Sequence, residues 1–161
     1  MSATGLEVFD KTLHETNIWL KDICLAAEIE RHFAWRVMGA VLRATRDRLP
    51  LELAVHLGAQ MPLLVRGAYY DQWTPGTTER PGRSPEDFAE SVANYLGGVR
   101  PIDAVGAIGA VFATIGRHVS AGEVQKVRRA LPAGIRALWP VPETERAPGI
   151  DAGQQPRGLG R

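Results

Sequence analysis

Residues 57–69, LGAQMPLLVRGAY, and residues 127–139, VRRALPAGIRALW, show the same pattern of apolar residues, proline and arginine at a constant shift of about 70 positions. Pro62 falls on Pro132 and Arg66 on Arg136, while Leu57, Met61, Val65 and Tyr69 fall on Val127, Leu131, Ile135 and Trp139. Without a gap, the shift also carries Gly39, Ala40 and Val41 onto Gly109, Ala110 and Val111, and Met38 and Leu42 onto Ile108 and Phe112. Identities are few, but apolar character, proline punctuation and register agree together, which is the signature of an internal duplication. Each half then reads as a unit of four helices: long, long, medium and short. Two such units bury their open apolar faces most economically against each other. The expected fold is all-α: two four-helix repeats packed as a pseudo-symmetric helical bundle. The first repeat spans residues 1–70, a connecting segment 71–83, the second repeat 84–140, and a disordered C-terminal tail 141–161.

Local signals place the helices. Thr4 and Glu7 have capping-box spacing, and Phe9, Leu13, Leu20 and Cys24, flanked by Trp19 and Ile23, predict a core face on a helix over 5–27, as one helix or two. Over 31–48, Phe33, Val37, Met38, Val41 and Leu42 share one face, with Arg36, Arg43, Arg46 and Asp47 elsewhere. Pro50 and Pro62 suit the first turns of a third and a fourth helix. In the second half Ser84 reads as an N-cap before Pro85, with Phe88, Val92, Tyr95 and Leu96 as core. Gly97 and Gly98 end that helix, and Pro101 opens the next through about Gly116. Ser120 with Glu123 is a further capping box, and Pro132 opens a last short helix ending near Trp139.

Composition narrows the classes of function. The chain has 161 residues, 45% of them apolar, and a single cysteine, Cys24, so a core forms without a disulfide and a reducing, cytoplasmic setting is expected. Its 19 basic residues are interspersed with 18 acidic ones for a net charge of +1, which disfavours binding to a phosphate backbone. The N-terminus lacks the apolar run of a signal peptide, and the weakly polar stretch 104–115 is too short to span a bilayer.

No catalytic constellation stands out, and no cofactor or metal is expected. Glu28, Glu30, His32 and His56 supply ligand types without an HExxH or CxxC frame, and no GxSxG elbow or GxGxxG loop occurs. Cys24 has no histidine at a distance that argues for a dyad. The glycines of GAIGAVFATIG read as sites of close helix packing. The most informative stretch is AQMPLLVRGAYYDQWTP, where Arg66, Tyr69, Tyr70 and Trp73 form a candidate interaction patch. The competing reading gives Arg66 and Arg136 a shared structural task on helix-end carbonyls, and gives Gly39, Pro62, Gly109 and Pro132 shared packing and turn positions.

At TNIWLKDI, AWRVMGAVLRATRDRLP, HLGAQMPLLVRGAYYDQWTP and SPEDFAESVANYL the chain resembles the bacterial domain-of-unknown-function family numbered 2267, over roughly Phe9 to Trp139. The resemblance implies a helical, internally duplicated protein and supplies no catalytic residues.

The expected function is a non-catalytic cytoplasmic helical interaction module that binds a protein partner or a second copy of itself. The alternative is a small-ligand- or metal-binding protein or enzyme with a pocket between the repeats, using Glu28, His32, Tyr69 or Arg66. Nucleic-acid binding through Arg43, Arg46, Arg48, Lys126, Arg128 and Arg129 is the least supported reading.

Overall fold

The computed structural model describes residues 2–76, 80–98 and 103–141. Among them are eight helices and no strand: α1 (Glu7–Ala27), α2 (Arg31–Arg46), α3 (Leu51–Ala59), α4 (Leu63–Tyr70), α5 (Pro85–Tyr95), α6 (Ala104–His118), α7 (Ala121–Ala130) and α8 (Ala133–Arg136). The expected tail and the Pro101 helix start lie outside the described residues, apart from Val141.

Helix starts follow the local chemistry. Pro50, Pro62 and Pro132 each sit one residue before their helix rather than in its first turn, with nearly identical backbones (φ −54°, −53° and −54°; ψ 145°, 149° and 146°). Proline's fixed φ and missing donor suit this junction, where extended ψ turns the chain into the helix. At α5 the capping box is complete: Ser84 Oγ accepts from Asp87 N at 3.0 Å, and the Asp87 carboxylate accepts from Ser84 N at 3.1 Å. Those bonds hold the Asp87 carboxyl below its usual range. Glu30 caps α2 by accepting from the amides of His32 and Phe33, and Asp103 caps α6 by accepting from Gly106 N. Gly97 and Gly98 end α5 with φ of +74° and +87°, conformations that cost glycine little.

Several further sequence readings need correction. Thr4 and Glu7 form no box: Thr4 bonds Asp10 through both its amide and its hydroxyl, and the single long α1 begins at Glu7. Phe9 and Leu13, expected in the core, are 48% and 42% exposed, because Thr12 and Thr16 occupy the side of these turns that faces the bundle. At α7, Ser120 Oγ accepts from Glu123 N, yet Ser120 N donates to Gln60 Oε1, so the box is half made. The Glu123 side chain turns inward, and its Oε1 has no hydrogen-bond partner among the described residues. Finally, α8 stops at Arg136, α2 at Arg46, and Tyr95 is only half-buried.

α2 lies at the centre, packed on α1, α4, α5 and α6. α1 runs along α6 and α3 touches α7. The pairs α1·α6 and α2·α5 exchange with each other, and α2·α6 and α3·α7 map onto themselves, when the first four helices are swapped for the last four. One buried apolar cluster runs through both halves, from Trp19, Met38 and Leu57 to Phe88, Phe112 and Ile135. No helix among the described residues is long and apolar enough to cross a membrane.

Candidate functional site

The arginines are the main surprise of the side-chain structure. Helix C-termini leave carbonyls without intrahelical partners, and a guanidinium can satisfy several at once. Arg66 donates from Nε to Gly58 O (2.9 Å) and from Nη2 to Ala59 O (3.2 Å) and Met61 O (3.1 Å), closing the end of α3. Arg136 donates to Arg128 O (2.7 Å), Arg129 O (3.2 Å) and Leu131 O (3.0 Å), closing the end of α7. The two sets of acceptors match position for position at the shift found in the sequence. Arg66→Ala and Arg136→Ala are therefore expected to destabilise the fold by similar amounts, about 1–3 kcal/mol each. Urea denaturation of the two variants checks this, and a large loss in one with none in the other contradicts it.

α2 and the residues just after it use their arginines in the same way. Arg36 donates to Leu96 O at the end of α5, Arg43 to Ala68 O in α4, and Arg48 to Ala44 O, Gly82 O and Ser91 Oγ. Arg46, read from the sequence as facing away from the core, is 1% exposed. Its Nη1 donates to Tyr69 O (2.7 Å) and Asp71 O (2.8 Å), its Nε and Nη2 to Asp47 Oδ1 (3.0 and 2.9 Å), and Nη2 also to Tyr95 Oη (3.1 Å). All five of its N–H groups are thus engaged. Tyr95 closes the ring by donating to Asp47 Oδ2. Of the arginines named in the nucleic-acid reading, Arg46 is buried, and Arg43 and Arg48 each donate to carbonyls within the fold.

Of the candidate patch, Tyr69 faces inward, and Arg66, Tyr70 and Trp73 remain partly accessible. Tyr69 is fully buried and donates to Ala54 O at 2.6 Å; burial holds its phenol above the ordinary tyrosine range. Tyr95 is pushed up for the same reason, reinforced by Asp47. Tyr70 donates to Val55 O and stacks on Trp73 at 5.5 Å, while Arg46 lies 5.6 Å from the Trp73 ring. The aromatic stretch is therefore continuous with the Arg46 cluster. A groove of about 510 Å³ opens in front of that cluster, bounded by Trp73, Tyr95, Gln72 and Arg80. Tyr70 rests on Gly58, where an added Cβ would come within 2.4 Å of its hydroxyl oxygen.

Glu30 is committed to capping α2, and no three His, Cys, Asp or Glu side chains converge among the described residues. Cys24 is a free, partly buried thiol on α1. The glycines of α6 have unequal surroundings. An added Cβ would meet the Asp103 cap at Gly106 but only ordinary contacts at Gly109, and at Gly39 it would press on the Arg43 guanidinium.

The profile of the family described as Uncharacterized conserved protein (DUF2267) matches residues 16–138. The chain belongs to this family. No curated protein matches it. The DUF2267 span takes in the Arg46 cluster, both helix-closing arginines and the aromatic stretch, but starts in the middle of α1. Leu6, Val8, Phe9 and Leu13, which are 52%, 55%, 48% and 42% exposed, precede it. These side chains are exposed at the start of α1, and no signal in their spacing separates them from a core stripe.

Proposed function

We propose that the protein is a non-catalytic helical interaction module of the cytoplasm, and that it associates with a second copy of itself through the first half of α1. The observation that carries this reading is the exposure of Leu6, Phe9 and Leu13 along a well-formed helix whose later turns are buried in the bundle. Apolar side chains at this spacing on one helix gain most by packing against another helix. The free Cys24 supports a reducing compartment.

Light scattering over a concentration series tests the proposal. The native chain is expected to show a dimer mass that falls to the monomer value in the double variant Phe9→Glu, Leu13→Glu, with helix content unchanged. A native chain that stays monomeric at every concentration, or a double variant that still dimerises, overturns it.

A further inference from the structure

A second feature of α1 lies on the side facing the α3–α4 corner. There Val8, Lys11, Glu15 and Ile18 of α1, Gln60 to Leu63 and Arg66 of the corner, and His118 at the end of α6 enclose a groove of about 490 Å³. Trp19 and Met61, 3% and 2% exposed, also line it. Trp19 stacks on the His118 ring at 5.6 Å, and Asp22 holds that ring from behind at 2.6 Å while also pairing with Arg117 at 3.2 Å.

We infer that this groove binds a small amphipathic carboxylate, one anionic end on an apolar body. Its size suits a small-molecule ligand. Trp19, Met61, Val8, Ile18 and Leu63 offer apolar surface to the body. For the anionic end, Lys11 makes no ion pair among the described residues, and Arg66 uses Nε and Nη2 on carbonyls, which leaves its Nη1 donors unspent. Glu15 is the one carboxylate on the wall and sets the site against ligands of higher negative charge.

The positions about 70 residues away show what becomes of the same space when the chain fills it. There Pro85 stands for Glu15 and packs against Gly134, where an added Cβ would lie 2.9 Å from Pro85 Cδ. Arg48 stands for His118, lies 5.0 Å from the Phe88 ring and is tied to Gly82 O and Ser91 Oγ. The corner closed by Arg136 is thus covered by the chain itself, whereas the corner closed by Arg66 is open and carries a lysine with no ion pair among the described residues.

Titration of the full chain with 3-phenylpropionate, 2-phenylethylamine and inorganic phosphate, followed by calorimetry and amide NMR, tests the assignment. Saturable binding of 3-phenylpropionate alone is expected, shifting the Trp19 indole and the Leu63 and Leu64 amides. Lys11→Ala is expected to weaken it about tenfold, the loss of one charge-assisted contact. Val8→Trp, a change at an exposed position that fills the groove, is expected to abolish it. Equal binding of the amine or of phosphate, binding that survives both variants, or no saturation of the native chain by about 10 mM overturns the assignment. Repeating the titration in the Phe9→Glu, Leu13→Glu variant separates this site from self-association, because neither residue lines the groove.

Discussion

Arg46→Ala is expected to lower the stability of the protein by about 3–5 kcal/mol, the range found when one partner of a buried charged network is removed. Five hydrogen bonds from one buried guanidinium tie α2 to the end of α4, to the chain after it and to α5. Without it, the Tyr69 and Asp71 carbonyls lose their charged donor, and Asp47 keeps only the Tyr95 hydroxyl. Arg46→Lys is expected to recover less than half of the loss, because a single ammonium cannot reach these acceptors in a planar fork. Arg36→Ala is the internal reference: one bond to Leu96 O is lost, and the expected cost is about 1 kcal/mol. Chemical denaturation of the three variants measures the series. A loss below about 1 kcal/mol for Arg46→Ala would show that the buried network contributes little beyond its own desolvation.

Phe112→Ala is expected to be comparably damaging, by about 3–5 kcal/mol. Phe112 is fully buried, stacks on Trp139 at 4.5 Å with ring planes 7° apart, and meets Phe88 at 5.7 Å. It is therefore the joint between α5, α6 and the residues after α8, and its removal leaves a cavity bordered by two rigid rings that cannot collapse into it. Phe9→Ala removes the same atoms from an exposed site and is expected to change the stability of the monomer by no more than about 0.5 kcal/mol. Thermal unfolding at a concentration where only monomer is present distinguishes the two. A small effect at Phe112 would mean that the second half repacks around the loss.

Much of the fold is legible in the sequence. Helical spacing, prolines at the starts of α3, α4 and α8, the Ser84 box and the two glycines after α5 are local signals, and each acts over a few residues. Arg66 and Arg136 were legible as a pair because both recur beside the same proline and apolar positions. The Arg46 cluster was not. Arg46 falls on Gly116 at the common shift, so nothing in the second half hints at its role, and its acceptors come from residues 69–71 and from Tyr95, far along the chain. Phe9 and Leu13 misled for the opposite reason: their spacing is that of a core stripe, and only the position of the other helices shows that they stay exposed among the described residues.

The sequence by itself determined that the chain is helical, where most helices begin, and that positions about 70 residues apart share a pattern. These properties follow from backbone preferences, caps and apolar periodicity, which depend on neighbours within a few turns. Only the tertiary structure decided which charges are spent inside the fold and which apolar side chains are left outside it. The value of a guanidinium or a leucine is set by what lies within a few ångströms of it, and for Arg46, His118, Phe9 and Leu13 that surrounding is supplied, or withheld, by distant parts of the chain.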